Sequence, residues 1–498
     1  MGPPFLHHDG KGRRDVSMLN PRLLFTICLV AAGVSLGWLS GRLLWPREKG
    51  SWVERRVEWR LFGEAFISEE QLPPKMGSIV ERVLGKNTDV TEEEQTQVSS
   101  VFNVQQLKTE LHKLPLACRP GNEGLLPKKY DRFLQSLAEY AVFHKRATAR
   151  DDKRVLVWQC DMSSYCGGLA DRLKGITYSL LLAMFSKRRL LLNWSSGEQV
   201  YLKPNVINWV TDPNLWNTLL DYYYDDDEDG NFTDSFDNYD DLVYLHMFSI
   251  LGGNGIDMTL EDVNNTLNII EGIWPKVIFA TNLEPNALMN DTKRAGQKWI
   301  ANGLKQFGLD FLSPEELDGI GGIVFRYLFQ ITSKLLFELS IARGILGLEG
   351  QNYTGVHIRT GFAGSPLQEY VDHPKLIRKT EEWEDILKCA VTTADQWLSP
   401  SSLIFLATDS YLVKHLAVTK YGSRFHSLEN TLVHLDRMEK YPHTPLHNET
   451  EGTLSTWVDF LLLAEAQVQV MTGSGFAMAA GQLCSLPQQR IVNGLHCV

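Results

Sequence analysis

The sequence predicts an α/β protein with two Rossmann-like domains that face a cleft, preceded by a transmembrane signal anchor and a stem. Strand-like and helix-like segments alternate twice, first from Asp151 and again from Tyr353, and each run predicts one domain. An uncharged stretch of 19 residues, Leu23 to Gly41, predicts the anchor. The length of 498 residues also exceeds the usual size of one hydrophobic core, so more than one domain is expected.

The composition is that of a folded protein and excludes one class of function. Hydrophobic residues make up 44% and charged residues 22% of the chain, which are ordinary values and argue against widespread disorder. The net charge is −11, whereas nucleic-acid-binding proteins normally carry a basic face that neutralises phosphates. We therefore expect no nucleic-acid partner, and any phosphate-bearing ligand must be held by a few placed cations.

The anchor separates a short tail from a stem. Arg22 and Arg42 bound the uncharged stretch, which leaves residues 1–22 as a cytoplasmic tail. A cleaved signal peptide is the alternative, but its apolar region is shorter and lies nearer the start of a chain. The bias of lysine and arginine does not settle the orientation. Residues 42–110 are polar, with helix-compatible stretches such as Val53 to Phe66, and are interpreted as the stem.

Two further patterns favour a lumenal position for the part of the chain after the anchor. Six glycosylation sequons follow it, at Asn193, Asn231, Asn264, Asn290, Asn352 and Asn448. An even number of cysteines also follows it, which allows three disulfides: Cys118, Cys160, Cys166, Cys389, Cys484 and Cys497. Unpaired thiols in a cytosolic protein are the alternative. The expected location is the Golgi membrane as a single-pass type II protein, with the endoplasmic reticulum second.

Residues 111–330 are predicted as the N-terminal domain. The pattern there is a strand, a glycine turn, a helix and a strand, which is a βαβ unit: Val155 to Trp158, Cys166 to Gly168, Leu169 to Phe185 and Arg189 to Trp194. An acidic, tyrosine-rich stretch at 221–241 is interpreted as a solvated insertion on the acceptor side. A metal-binding DxD motif is the alternative, but such motifs end a buried strand and this one lies in a polar run.

Residues 331–498 are predicted as the C-terminal domain. Apolar residues at helical spacing run from Val324 to Leu346. The segments that follow alternate again: strand Tyr353 to Ile358, helix Glu381 to Leu398, strand Leu403 to Ala407, helix Ser455 to Ala466, strand Val468 to Met471, a glycine turn and a last helix. A ligand would bind between the domains, at the carboxyl ends of the strands.

Three junctions between a strand and a loop carry the candidate site residues. Gly167 and Gly168 precede a helix whose positive end suits an anion, although such glycines often serve only tight packing. Alternation along the next strand points His357 and Arg359 to the same side, and an arginine fork matches a diphosphate. An ion pair and a core imidazole are the plainer interpretations. The third set comprises Asp409 with Ser410 and the turn Ser474-Gly475-Phe476.

The order of these motifs resembles a known family, the fucosyltransferase superfamily of α-1,2-, α-1,6- and protein O-fucosyltransferases. The run CGGLADRLKGITYSLLLAMFSKRRLLLNW resembles the opening motif of that family, and GVHIRTG resembles its His-x-Arg motif. IFLATDS is similar to its second motif and DFLLLAEAQVQVMTGSGFAMAAGQL to its third. Together the motifs span about two thirds of the chain in the order of the family.

The resemblance implies a GT-B fold and an inverting, metal-independent transfer of fucose from GDP-fucose, with no cofactor besides this donor. Arg359 matches the arginine that grips the β-phosphate, and His357 and Asp409 match residues that bond the guanine and ribose end. The remaining matches lie near the donor phosphates and sugar: Ser474, Gly475, Phe476, Gly167, Gly168, Asp171 and Arg172. The chain departs from the family at Ala170, where many relatives have glycine, and at Thr360-Gly361, where many have a second arginine or an aspartate.

The missing aspartate leaves the catalytic base open. An inverting displacement needs a group that accepts the proton of the acceptor hydroxyl. Asp171 is the residue we predict for this role, and a helix cap is its alternative interpretation.

Other functions stay open at this stage. The same fold could present another nucleotide sugar, or the protein could be a catalytically silent lumenal binding or scaffold protein. A metal-dependent single-Rossmann transferase is a further alternative. The acceptor is expected to be a glycan or a glycoprotein, and the stem helices are compatible with a homodimer.

Overall fold

A computed structural model describes residues 102–111, 128–160, 167–194, 200–210, 242–247, 267–268, 270–272, 276–281, 283–289, 297–360, 380–429, 449–472, 474–484 and 490–493. The chain divides into two compact units, Met1–Phe66 and Ile67–Val498. All the described residues belong to the second unit.

The described residues form alternating strands and helices. The strands are β1 (Val155–Cys160), β2 (Arg189–Trp194), β3 (Leu202–Pro204), β4 (Leu242–Met247), β5 (Lys276–Thr281), β6 (Phe329–Ile331), β7 (Tyr353–Ile358), β8 (Leu403–Thr408), β9 (Phe425–His426), β10 (Val468–Met471) and β11 (Arg490–Asn493). The helices are α1 (Val104–Leu111), α2 (Asp131–Ala149), α3 (Leu169–Phe185), α4 (Lys298–Gln306), α5 (Pro314–Asp318), α6 (Gly321–Leu328), α7 (Ser333–Leu346), α8 (Thr380–Trp397), α9 (Tyr411–Tyr421), α10 (Glu449–Glu465) and α11 (Gly475–Cys484).

The N-terminal half is built on a parallel sheet with the strand order β2-β1-β5-β4. The apolar side chains of β1 from Val155 to Trp158 are at most 2% exposed, as expected for a central parallel strand that is covered on both faces. Helix α3 connects β1 to β2 and packs on β1 and β5. The predicted βαβ unit is therefore present with its predicted helix bounds.

The C-terminal half is built on a second parallel sheet with the order β11-β10-β7-β8-β9. Val356 and Ile358 on β7 face a buried cluster that is shared with α8 and α9. On the other face, a Cβ atom at Gly355 would lie 2.7 Å from the Cβ of Ala466, so glycine there lets the end of α10 approach β7 closely. The alternating, parallel α/β character predicted for the chain is thus confirmed in both halves.

The two halves meet through helices and a chain of aromatic rings. Helix α11 packs on α3, α6 and α10, and Arg326 of α6 donates from Nε to the carbonyl of Leu483 at 3.2 Å. Successive ring centroids lie 5.6, 6.3, 5.7, 5.4 and 5.3 Å apart along the chain Trp158, Trp194, Trp457, Phe460, Phe476 and His357. This series of rings runs from the interior strand β1 of one sheet to the interior strand β7 of the other. Burial of aromatic area therefore holds the halves together.

The stretch from Val324 to Leu346 is not one continuous helix. Helix α6 ends at Leu328, and Phe329 has extended backbone angles (φ −122°, ψ 138°). Strand β6 then pairs antiparallel with β3, and α7 begins only at Ser333. The apolar spacing fits a helix, but the buried side chains of β6 are better placed by pairing with β3, which periodicity alone cannot reveal.

The folded body begins earlier than the predicted boundary at residue 111. Helix α1 lies at the end of the predicted stem, and its side chains Leu107 and Leu111 are buried. Arg326 donates from Nη1 to the carbonyl of Leu111 at 3.4 Å. The last turns of the predicted stem are therefore part of the packed body.

Several predicted segments lie outside the described residues: the tail, the anchor at Leu23 to Gly41, the stem helix at Val53 to Phe66 and the acidic insertion at 221–241. Among the described helices, none combines the length and apolar character that a bilayer crossing requires. Cys389 of α8 and Cys484 of α11 are each disulfide-bonded. The full set of three disulfides stays a prediction.

The structure describes two of the six predicted glycosylation sites, and they differ in exposure to solvent. Asn193 lies inside β2, where it is 5% exposed and its Nδ2 atom is buried. A glycan attached there could not coexist with this packing, so the prediction for Asn193 is wrong. Asn352 is exposed and immediately precedes β7. The sequons at Asn231, Asn264, Asn290 and Asn448 lie outside the described residues.

Candidate active site

The glycine turn after β1 shapes the start of α3. Gly167 has a positive φ of 77°, and a Cβ atom on it would lie 2.6 Å from Oδ2 of Asp171. Gly168 is the N-cap, and Asp171, three residues later, accepts a hydrogen bond from its backbone N–H. The capping role considered for Asp171 is therefore present. The same geometry fixes its carboxylate at the carboxyl end of β1.

Charges from both halves surround Asp171. Burial raises the pKa of Asp171, whereas the charges of Lys174 and Arg359 and the hydrogen bond from Gly168 lower it. Because solvent still reaches 44% of its side chain, we expect the net rise to be small. The influence of Arg359 shows that the end of β7 in the C-terminal half lies near the start of α3 in the N-terminal half.

Asp409 holds the segment that carries Arg359. Its Oδ1 atom accepts hydrogen bonds from the backbone N–H of Thr360 at 2.7 Å and from the hydroxyl of Thr360 at 2.8 Å. Asp409 follows β8, the strand adjacent to β7, so the bond ties together the carboxyl ends of two neighbouring strands. The contact that the structure gives this carboxylate is thus a positioning contact to Thr360, next to Arg359, where the family resemblance implied a contact to guanine or ribose.

His357 is buried beside the start of α11. Its ring lies 5.3 Å from the ring of Phe476, and its Nδ1 atom is buried without a hydrogen-bond partner. The pKa of His357 is lowered to about 4, mainly by burial. The charge of Asp409 opposes this shift and the charge of Arg359 adds to it, and the imidazole is neutral at pH 7. A buried nitrogen with no partner is the kind of atom that a bound ligand or an ordered water satisfies.

The start of α11 lies directly against the start of α3. A Cβ atom on Gly475 would lie 3.4 Å from Nζ of Lys174 and 3.8 Å from Oδ1 of Asp171. Ser474, Gly475 and Phe476 are all half-buried. Glycine at this position therefore permits close approach of the two helices, and the backbone N–H groups that begin α11 give the junction a partial positive charge.

Arg172 does not line this junction. Its side chain is buried, with an exposed fraction of 1%, and its Nε atom donates to the carbonyl of Gly167 at 3.1 Å. Successive helical residues point about 100° apart, so Asp171 and Arg172 leave α3 in different directions. The structure thus gives Arg172 a positioning contact to the glycine turn, and its direct contact with a donor stays a prediction.

Sequence reasoning missed a polar network on the N-terminal side. Lys174 forms an ion pair with Glu284, which follows β5. The Nδ2 atom of Asn286 lies 3.5 Å from Oε2 of Glu284 and donates to Oδ2 of Asp318 at 2.8 Å. Burial raises the pKa of Asp318 to about 6, while the hydrogen bond from Asn286 lowers it and the charge of Glu284 raises it. The sequence alone is sufficient to indicate that Lys174 lies near Asp171, because it follows Asp171 by three residues on one helix face.

A pocket that is partly open to solvent adjoins this network. Residues of both halves line it, including Lys174, Asp318, Phe325, Phe460 and Gln482. In the described part of the chain, no group of three or more histidine, cysteine, aspartate or glutamate side chains is arranged to hold a metal ion. The acidic run at 225–229, the alternative metal motif, lies outside that part.

Comparison with known proteins identifies the fold. No protein-family model matches the chain, and no curated protein matches it. Among solved structures, a mutant of Arabidopsis thaliana FUT1 in complex with GDP superposes with a TM-score of 0.50, over 81% of this chain and 84% of that chain, at 14% sequence identity. The chain has the fold of FUT1. At 14% identity the match shows the fold alone, and this fold agrees with the one that the motifs implied.

Two further structures share less with this chain than FUT1 does. The α-1,6-fucosyltransferase NodZ soaked with GDP-fucose matches with a TM-score of 0.37 and 14% identity, over 66% of this chain and 92% of NodZ. POFUT1 in complex with GDP matches with a TM-score of 0.32 and 10% identity, over 68% of this chain and 98% of POFUT1. TM-scores at this level do not establish a common fold, so the fold assignment rests on FUT1.

Proposed function

We propose that this protein is a glycosyltransferase that transfers fucose from GDP-fucose to a glycan or glycoprotein acceptor. One observation carries the proposal: Arg359 at the end of β7, the start of α11 at Gly475 and the carboxylate of Asp171 converge where the two halves meet. A guanidinium and a helix N-terminus provide the positive charge that a leaving diphosphate needs, and the carboxylate faces them. The fold of FUT1, whose structure is a complex with GDP, supports a nucleotide as the ligand of this chain.

The proposed reaction is an inverting displacement between two GT-B-like domains. The bond between the anomeric carbon of fucose and the β-phosphate oxygen breaks, and GDP leaves with the bonding electrons. Arg359 and the N–H groups of α11 stabilise the charge that develops on GDP. The acceptor oxygen forms the new bond from the opposite side, and Asp171 takes its proton. Because protein groups supply the positive charge, the proposed transfer requires no metal.

His357 and Phe476 are proposed to bind the nucleoside end of the donor. A neutral, buried imidazole can donate or accept one hydrogen bond to a base or ribose, and Nδ1 has that capacity unused. Phe476 packs on both His357 and Phe460, so its ring is fixed before a ligand arrives. Asp409 contributes indirectly by holding Thr360 beside Arg359.

The nucleotide that stabilises the folded protein tests the donor class. The body from about residue 67 is expressed as a secreted protein, and its melting temperature is measured with GDP, GDP-fucose, GDP-mannose, UDP and UDP-sugars, with and without EDTA. Binding to the native state stabilises it by about 2.7 kcal/mol at a ligand concentration 100 times the dissociation constant. We expect stabilisation by GDP and GDP-fucose that survives EDTA.

Other patterns of stabilisation support different functions. Stabilisation by UDP compounds only in the presence of metal supports a metal-dependent transferase. Stabilisation by GDP without any turnover of GDP-fucose supports a silent binding protein. A folded protein that no nucleotide stabilises contradicts the proposal.

We also propose that the body lies in the Golgi lumen behind a type II anchor. The sequons after the anchor support this location, and the exposed side chain of Asn352 provides one accessible acceptor. In secreted protein, Asn352→Gln is expected to remove the mass of one glycan, whereas Asn193→Gln leaves the glycan mass unchanged because Asn193 is buried in β2. Intact mass before and after enzymatic deglycosylation measures both. A glycan found on Asn193, or none on Asn352, contradicts this part of the account.

A further inference from the structure

Lys174 occupies a central position at the junction between the halves. Its Nζ atom lies 3.9 Å from Oδ1 of Asp171 and forms a hydrogen-bonded ion pair with Oε1 of Glu284. Its side chain is only 18% exposed. The same Nζ atom lies close to Gly475, where a side-chain Cβ would be 3.4 Å away. One ammonium group thus lies within ion-pair distance of two carboxylates of the N-terminal half and close to the first residue of α11.

Glu284 is held in place from its other side. The Nδ2 atom of Asn286 lies 3.5 Å from Oε2 of Glu284 and donates to Oδ2 of Asp318 at 2.8 Å. The backbone N–H of Asn286 donates to Oδ1 of Asp318 at 3.0 Å. Glu284 therefore has a defined position opposite Lys174, and the pair is more than a mobile surface contact. Partial burial of both partners also reduces the screening that weakens exposed ion pairs.

The groups that face Asp171 come from three elements. Its own helix contributes Lys174 and the N–H of Gly168, the segment after β5 contributes Glu284, and the C-terminal half contributes Arg359. Lys174 and Arg359 favour the ionised carboxylate, whereas Glu284 disfavours it. Of these groups, Lys174 and Glu284 are the two that bond to each other.

We propose that Lys174 and Glu284 form a positioning pair that sets the charge state of Asp171 and aligns the start of α11 against it. This inference rests on the proposed function, in which Asp171 takes the proton of the acceptor. Glu284 draws the ammonium group of Lys174 away from Asp171, so the carboxylate keeps enough affinity for a proton to act as a base. Lys174 in turn prevents the two carboxylates from repelling each other and the diphosphate beside them.

Replacing the two members of the pair is expected to shift the pH dependence of kcat/KM in opposite directions. Asp171 must be ionised to accept a proton, so kcat/KM falls as the pH drops through its pKa. Lys174→Met removes a charge that lowers this pKa. The acid limb of the pH profile of kcat/KM, where activity falls with falling pH, therefore moves to higher pH. Glu284→Gln removes a charge that raises it and leaves Lys174 free to approach Asp171, so the limb moves to lower pH. The double variant is expected to fall between the two.

The controls separate this role from a structural one. Lys174→Arg keeps the charge and is expected to keep the wild-type limb. Lys305→Met removes an exposed lysine of α4 and is expected to change nothing. A purely structural role would lower the plateau of kcat/KM in every variant of the pair without moving the limb. Limbs that coincide with that of the wild type overturn the inference and leave the proposed function intact.

A second measurement does not depend on turnover. The carboxylate of Asp171 lies beside the start of α11, so its ionisation is expected to weaken the binding of GDP there. The pH dependence of the GDP dissociation constant should therefore shift in opposite directions in Lys174→Met and Glu284→Gln. Identical pH dependence in both variants and the wild type overturns the inference. A wild-type protein that binds no GDP at any pH instead overturns the proposed function.

Discussion

Replacing Arg359 with alanine is expected to lower kcat by about 10²–10³-fold, which is the usual loss when one preorganised group that stabilises developing charge is removed. Arg359 is half-buried at the junction, and its charge acts on both Asp171 and His357. Removing the guanidinium leaves the N–H groups of α11 and the nearby charge of Lys174 to support the leaving diphosphate. Fucose transfer and the GDP dissociation constant, measured on the same preparation, test this expectation.

Two variants serve as controls for Arg359→Ala. Arg359→Lys keeps the positive charge but loses the bidentate fork, so we expect intermediate activity. Arg146→Ala removes an exposed arginine of α2 and is expected to leave kcat and GDP affinity unchanged. If Arg359→Ala turns over GDP-fucose at the wild-type rate, Arg359 does not stabilise the leaving group and the proposed mechanism fails.

Replacing Gly175 with alanine is expected to give the largest loss of stability. A Cβ atom there would lie 1.9 Å from the carbonyl oxygen and 2.7 Å from the carbonyl carbon of Thr281, which ends β5. Both are backbone atoms, so the clash cannot be relieved by a side-chain rotation, and Trp158 donates to the same carbonyl at 3.1 Å. We expect a cost of about 3 kcal/mol or failure to fold, at the upper end of the usual range for overpacking. Denaturant unfolding measures it.

Gly344 serves as the control glycine, and its replacement by alanine is expected to have the opposite effect on stability. It lies on the exposed side of α7, and a Cβ atom there would have no atom within 4 Å. Gly344→Ala should therefore stabilise the protein by about 0.5–1 kcal/mol, because alanine favours a helix and lowers the entropy of the unfolded chain. Equal stability of Gly175→Ala and the wild type would show that α3 does not pack on β5 as described.

The sequence predicted best those parts of the fold in which local pattern and tertiary environment agree. Helix α3 and strands β2, β7 and β10 have their predicted bounds, because each is an apolar run with a clear turn signal beside it. Strands β4 and β5 were not recognised, since a run of six residues such as β5 does not distinguish a buried strand from part of a buried helix. Pairing in the sheet decides that question, and no local pattern contains it.

The same distinction explains the candidate site. Residues inside the motifs, such as Asp171, Arg359 and Gly475, do converge. Glu284 follows β5, which has no clear local signal, so no pattern in the sequence places it beside Lys174. The contact between Asp409 and Thr360 depends on the adjacency of β7 and β8, which is again a property of the sheet.

The location of the nucleotide is the most direct test of the account. Hydrogen–deuterium exchange of the body is followed by mass spectrometry with and without saturating GDP, in the presence of EDTA. We predict that GDP slows exchange in the peptides that contain Arg359 and Thr360 and in those that contain Ser474 to Phe476, while α2, which packs on β2, is unaffected. Slowed exchange elsewhere in the body, with none at these two segments, would contradict the assignment of the donor site.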